Sequence, residues 1–422
     1  MTKLNLILII NWVFIEKTVK GWLFLKDLKH LIYLENLLQN ANNELITQAK
    51  SEGKICVGYL CENSPEPLLN VGNAFSVRLT APNSGSMDIA TYYMTNLLCE
   101  TSRAILERAV EGGFNFADCL ITPDGCTMLN RGAENIELLH AMGKDNDKFF
   151  YQYMEIPMKA DENGVALLKV QSENHILKPL HEVYGVDISE ESIRKSVADH
   201  NEICNIIRQL GDFRKEEKPR ITGYEYAVIT LATYRAPHYL LKDILSETLE
   251  EVKTREPDEK AYRARVLVVG SEGDDPEFIK LIEDTGAYVC ADRYCFGSLP
   301  GRDPILLNDE EDALTQICRQ YTMRAQCPRY MNMEKVYGRK QYVYDLAKEY
   351  KADGVLYQQI KFCDPWAYER TLGSAMLRDD YGMPVLSVDR PYNIKSSMGQ
   401  MRTRVQAFVE SLEIKKIQGG AK

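Results

Sequence analysis

The residues in this chain whose types could do chemistry are its cysteines. There are eleven, at irregular spacing in 422 residues. An odd count on so long a chain fits no small disulfide scaffold, and points instead to a reducing cytoplasm where thiols persist. Such thiols are either packed core residues or metal ligands. No Cys-x-x-Cys pair occurs, so neither a zinc ribbon nor a bacterial ferredoxin pattern is present. Three cysteines fall where an α/β protein keeps its ligands, near the carboxyl ends of strands. Cys126 follows an apolar run that ends near Thr122, across the loop Pro123-Asp124-Gly125. Cys363 follows the run Gly354–Ile360 and precedes Asp364-Pro365, a pair suited to opening a helix. Cys99 lies inside the helix expected over Thr91–Gly112. Three thiolates meeting across a domain cleft would suit an iron–sulfur cluster with one open iron. Three dispersed cysteines are more often packed core residues than ligands, and Cys119, seven residues before Cys126, competes with it for the ligand role. Spacing alone leaves these readings open.

Other chemistry has weaker support. The six histidines are scattered, with no pair at the helical spacing of a metal site, and read as surface or core residues. Gly270-Ser271-Glu272-Gly273 lacks the third glycine of a dinucleotide fingerprint, and no Gly-x-x-x-x-Gly-Lys-Ser/Thr loop occurs. Arg402 and Arg404 could reach a phosphate, but surface ion pairing is the plainer role. A net charge of −10 without a basic cluster excludes nucleic acid as the main partner.

The elements that must position these residues alternate. Short apolar runs at Lys54–Leu60, Phe75–Leu79, Phe116–Thr122 and Phe149–Ile156 read as strands. A Ser64-Pro65-Glu66 helix start follows the first of them, with Ser64 as cap, and a helix over Thr127–Met142 follows the third. Strand signals fade from about Gly164 to Lys253, where helical periodicity takes over. A second block begins at Arg265, with strands at Val266–Gly270, Ala287–Ala291, Gly354–Ile360 and Pro384–Val388. Its helices start at Asp275-Pro276-Glu277 and run over Asp309–Arg319, Gly338–Tyr350 and Gly399–Leu412. The pattern predicts an α/β fold of two doubly wound, mainly parallel-sheet domains at 54–160 and 263–422. A helical segment at 161–262 separates them, and a helical extension at 1–53 precedes them. Within the extension, Leu4–Ile15 is too short to span a bilayer, and Trp22–Leu38 is amphipathic, so no membrane anchor is expected. The next methionine after Met1 is Met87, which leaves the start site open.

Several segments in order carry a family resemblance. Val57-Gly58-Tyr59 leads to Ser64-Pro65-Glu66, and Arg265-Val266-Leu267-Val268-Val269-Gly270 to Asp275-Pro276-Glu277. Then come Asp292-Arg293-Tyr294-Cys295-Phe296-Gly297-Ser298, Lys361-Phe362-Cys363-Asp364-Pro365 and Gly399-Gln400-Met401-Arg402. Over roughly residues 35–412 the chain resembles the 2-hydroxyacyl-CoA dehydratase family, which includes the benzoyl-CoA reductase subunits. The resemblance implies two α/β domains with a 4Fe–4S cluster between them, held by Cys99, Cys126 and Cys363. Two positions depart from the family pattern: Thr127 stands where an aspartate usually follows the second ligand, and Pro67 where an acidic residue is common. Cys295 matches a recurrent family cysteine, structural or supporting the site.

What the resemblance implies is removal of water from an (R)-2-hydroxyacyl-CoA to give a 2-enoyl-CoA by a one-electron, ketyl-radical route. It also implies partners: an acyl-CoA substrate, a second homologous subunit and an ATP-dependent iron–sulfur activator. The alternatives are a benzoyl-CoA reductase-like subunit, an electron-relay or scaffold subunit, and a flavodoxin-like binding protein without a cluster. The residues name no catalytic base.

Overall fold

The computed structural model describes residues 27–143, 148–295 and 302–419. Leu4–Ile15, the start of Trp22–Leu38, and Phe296-Gly297-Ser298 lie outside them. Two four-stranded parallel sheets form the frame. The first contains β1 (Ile55–Tyr59), β2 (Ala74–Arg78), β3 (Cys119–Pro123) and β4 (Phe150–Met154), in the order β2-β1-β3-β4. The second contains β5 (Ala264–Gly270), β6 (Ala287–Tyr294), β7 (Gly354–Ile360) and β8 (Val385–Arg390), in the order β6-β5-β7-β8. The two orders are the same when each sheet is counted from its own first strand. Helices cover the sheets, so β2, β3, β6 and β7 are buried along their whole length. This is why they read as mainly apolar runs, with polar residues such as Arg78, Asp292 and Gln359 toward their carboxyl ends. In each sheet the order reverses between the first and third strands, and a crevice opens there at the carboxyl ends.

β5 and β7 come unusually close at that crevice. A Cβ on Gly270 would fall 2.0 Å from the Gln358 carbonyl oxygen, so only glycine fits. Ser271 Oγ then accepts the Ile360 N–H at 2.7 Å, tying the two strand ends together. The Gly270-Ser271 pair thus serves strand packing.

Between the sheets in sequence lie the helices Glu162–Ser172, Lys178–Tyr184, Glu190–Asp212, Gly223–Arg235 and His238–Thr254. Gly223–Arg235 opens with a complete capping box from Thr222 and Glu225. The described part of the N-terminal extension packs into this helical layer. Leu31, Leu34, Leu37 and Leu38 of the helix Leu31–Gln39 share one core with Ile207, Leu210, Val228 and Leu245. No helix among the described residues is long and apolar enough to cross a membrane.

Two local expectations are corrected. Ser64-Pro65-Glu66 does not open a capped α-helix: it leads into a five-residue 3-10 turn, Glu66–Asn70, and the buried Ser64 hydroxyl caps nothing. Pro65, at φ −66° and ψ 88°, sits outside the turn instead of at its first position. The helix expected over Thr91–Gly112 is broken. A short turn at Ala90–Tyr93 ends where Met94 becomes extended, and the helix proper runs Glu100–Val110. Thr95 makes the break, since its hydroxyl accepts the Leu97 N–H and its carbonyl the Leu98 N–H. A threonine side chain competing for local backbone groups is a common helix interrupter.

Candidate functional site

That break decides where Cys99 goes. It is not inside a helix but is the N-cap residue of Glu100–Val110, 5% exposed. Cys126 immediately precedes the helix Thr127–Gly143, and its carbonyl accepts the Asn130 N–H at 3.0 Å. Cys363 is the N-cap of Asp364–Asp379, with its carbonyl on the Ala367 N–H at 3.1 Å. All three cysteines therefore stand at helix N-termini, where free N–H groups and the helix dipole favour a negative sulfur. Cys126 and Cys363 also occupy equivalent places, each just beyond the third strand of its own sheet.

The structure brings the three together. The Cys363 thiol donates to the Cys99 sulfur, and Cys126 is close enough to act electrostatically on both. The Glu100 N–H donates to the Lys361 carbonyl at 3.3 Å, joining the loops that carry Cys99 and Cys363. Ser102 Oγ donates to the Met128 carbonyl at 2.5 Å, joining the helices that follow Cys99 and Cys126. Gly132 permits this approach, because a Cβ there would lie 2.8 Å from Ser102 Oγ. Phe362, just before Cys363, is held at φ 64°, a left-handed conformation rare for a bulky residue, and the residue is 42% exposed.

Electrostatics at the three sulfurs differ. The Cys363 thiol and the N–H groups of Ser102 and Thr101 hold Cys99 below the ordinary thiol range, against burial. Burial pushes Cys126 up to about 12, although the Leu129 and Met128 N–H groups oppose it. The hydrogen bond to Cys99, with burial, raises Cys363. The raised Cys126 and Cys363 thiols hold protons, which a metal centre must displace. Among the described residues no three Cys, His, Asp or Glu side chains sit close enough to share a single metal ion. A cluster of several irons asks for more widely spaced sulfurs than one ion does, each bound to a different iron.

The remaining candidates separate cleanly. Cys119 begins β3, fully buried among Val57, Tyr59 and Ile121, and is not brought to the other three. Cys204 is buried in the helix Glu190–Asp212, 3.2 Å from His200 Nε2. Cys295 follows β6 beside Gly270, whose carbonyl accepts its N–H at 2.9 Å, and its thiol meets Glu272. Arg402 pairs with Asp284 at 3.3 Å on the surface, and Arg404 donates to the Ser387 carbonyl.

Charged groups that sequence reasoning missed line the same crevice. Arg78, at the end of β2, grips Glu272, just past β5. Glu62, just past β1, has its carboxyl pushed up to about 8 by burial, with Arg293 and Arg78 opposing. Glu62 borders a small cleft of ≈ 40 Å³ with Asn63, His200, Tyr321 and Arg324. The available signal was position: charged residues at the carboxyl ends of strands that are otherwise apolar.

A doubly wound α/β pair with thiols gathered at the facing strand ends defines the class, and comparison with known proteins gives the family. The 2-hydroxyglutaryl-CoA dehydratase D-component family matches residues 61–412, and the chain belongs to that family. It is similar to the (R)-phenyllactyl-CoA dehydratase β subunit of Clostridium sporogenes, 23% identical over 387 residues that cover 90% of this chain and 97% of that subunit. It is also similar to the (R)-2-hydroxyglutaryl-CoA dehydratase β subunit of Acidaminococcus fermentans, 23% identical over 87% of this chain and 95% of that one. A benzoyl-CoA reductase subunit of Thauera aromatica is 20% identical over 76% of this chain and 81% of its own.

Proposed function

We propose that this chain is the iron–sulfur subunit of a cytoplasmic 2-hydroxyacyl-CoA dehydratase, with a 4Fe–4S cluster held by Cys99, Cys126 and Cys363. One observation carries the reading: three cysteines far apart in sequence meet at three helix N-termini beside the facing strand ends. The donor set suits the group, since three thiolates leave one iron without a protein ligand. A bound cluster supplies a low-potential electron and an open iron able to act as a Lewis acid. The chain's own residues prepare the place. The N–H groups of Thr101, Ser102, Met128 and Leu129 point at sulfur and favour its thiolate. Ala81, Ala104, Ile360 and Tyr392 form a dry wall against Cys363. The proposed reaction takes an (R)-2-hydroxyacyl-CoA to a 2-enoyl-CoA through a ketyl radical of the substrate: hydroxide leaves the α-carbon, a proton leaves the β-carbon, and the electron is returned.

A second reading has support of its own. The relatives named above are each one subunit of an enzyme, so a relay role beside a substrate-holding homologue, as in a benzoyl-CoA reductase-like complex, fits equally well. The test is anaerobic preparation of the protein and its Cys363→Ala variant, with iron, sulfide and electron paramagnetic resonance measured on each. Loss of about four irons per chain in the variant supports the cluster; iron-free protein after reconstitution refutes it. Turnover of a 2-hydroxyacyl-CoA with and without a homologous subunit separates enzyme from relay.

A further inference from the structure

The eleven cysteines fall into two groups by environment. Cys56, Cys119, Cys204, Cys290 and Cys318 are wholly enclosed, at 0% exposure. Cys61, Cys99 and Cys327 reach 5, 5 and 6%, and Cys126, Cys295 and Cys363 are more open. Five therefore behave as ordinary small core residues. Six gather where the two sheets face each other, twice the number that the cluster proposed above requires.

The extra three come from separate elements. Cys61 lies just past β1, Cys295 just past β6, and Cys327 in the loop before the helix Met333–Glu349. Cys295 interacts electrostatically with both Cys61 and Cys327. Asn63 bridges the other two: its side-chain amide lies 3.6 Å from the Cys61 sulfur and also donates to Cys327. The Arg329 N–H donates to the Cys327 sulfur as well. Cys61 and Cys327 are thus supplied with N–H donors, as sulfurs destined to be ligands are, while the Cys295 thiol meets the Glu272 carboxylate.

The second group adjoins the first. The Cys61 sulfur presses on Gly125, next to Cys126, so closely that a Cβ there would lie 2.6 Å away. Arg329 clamps the same turn, its guanidinium donating to the Asp124 carbonyl and, at 3.1 Å, to the Asp124 carboxylate. Cys295 acts electrostatically on Cys363, and Cys327 on Cys126. Arg78 and Arg293 stand near the second group and favour negative charge on its sulfurs, while Glu62 and Glu272 oppose it.

We propose that Cys61, Cys295 and Cys327 hold a second iron–sulfur cluster, beside the one assigned to Cys99, Cys126 and Cys363. The inference rests on that earlier assignment only for what the second cluster adjoins; its own ligands are independent.

The experiment uses the full chain, prepared and reconstituted without oxygen, with iron, zinc and acid-labile sulfide measured per chain. Two cubane clusters give about eight irons. Cys327→Ser and Cys295→Ala are each expected to lose about half, and Cys363→Ala the other half. About four irons that Cys327→Ser keeps and Cys363→Ala loses would overturn the second site while leaving the first intact. The reverse pattern would support the second and overturn the first. Zinc in place of iron, or no metal at all, would overturn both. Because a variant can fail to fold, alkylation of the unaltered protein gives a separate reading. Loaded protein should protect Cys61, Cys295 and Cys327 against a thiol reagent that reaches them in the apoprotein. Equal labelling in the two states would refute the proposal.

Discussion

One guanidinium nitrogen of Arg78 lies 2.7 and 2.6 Å from the two carboxylate oxygens of Glu272, joining the end of β2 to the loop after β5. Both side chains are nearly out of water, at 2 and 11% exposure. Removing one partner of a buried pair strands the other charge, at a cost of roughly 3–5 kcal/mol. Arg78→Met should therefore lower the denaturant midpoint sharply. Arg78→Met with Glu272→Gln should recover much of the loss, because no buried charge is then left alone. Simple addition of the two single effects would show that the pair is not the source.

Stability should fall in acid, and His200 is where the fall begins. The ring is buried between Glu66, Arg302, His238 and Cys204, and burial, aided by Arg302 and His238, drops its pKa to about 3 even though Glu66 opposes this. Below its ordinary value near 6.5, the unfolded chain takes up a proton that the folded chain refuses until about pH 3, so stability declines through that window. Glu66, held well below the usual carboxylate range by Arg302 and a hydrogen bond from His238 in spite of burial, adds a further loss once pH passes below about 4.5. Thermal midpoints measured from pH 7.5 to 5 should drop, and His200→Gln should flatten that part of the curve. An unchanged slope in the variant would show that another group titrates.

Core and cleft cysteines should part company on substitution. Cys204→Ala loses a buried thiol and its contact with His200 Nε2, an effect of about 1 kcal/mol with no change in iron. Cys119→Ala, in the β3 core, should likewise keep its iron, whereas Cys126→Ala should lose it. Iron analysis of the two variants side by side is sufficient. The opposite result would exchange their roles.

The chain alone should be inactive. An electron that enters a thioester must be delivered at very low potential, and the sequence contains no P-loop through which ATP hydrolysis could be coupled to this. Turnover of a 2-hydroxyacyl-CoA is expected only with a homologous subunit, an ATP-hydrolysing activator and a strong reductant all present. Omission of each in turn is the assay, and sustained turnover by the single chain would defeat the coupling argument.

Much of this arrangement was legible in the residues. All eight strands were marked by mainly apolar runs between turn signals, most clearly where a strand is covered on both faces. Cys126 and Cys363 announced themselves by following such runs directly. Cys99 did not, since Thr91–Gly112 keeps an apolar rhythm across a break that only the Thr95 hydrogen bonds reveal. Ser64 misled for a similar reason: a serine before Pro-Glu is a sound cap signal, yet the chain turns too tightly there for the hydroxyl to reach an N–H. Cys61 and Cys327 were invisible as a pair. They are joined through Asn63 and the Gly125 turn, contacts that exist only once the two sheets face each other.

Phe362 gives the crevice a different kind of sensitivity. A left-handed backbone costs a residue with a side chain about 1–2 kcal/mol, and glycine would remove that cost. Glycine would also free the hinge immediately before Cys363 to sample many directions. At this position, ease of folding and constancy of aim are opposed, so a search for more heat-resistant variants would be drawn toward a change that blurs where the sulfur points.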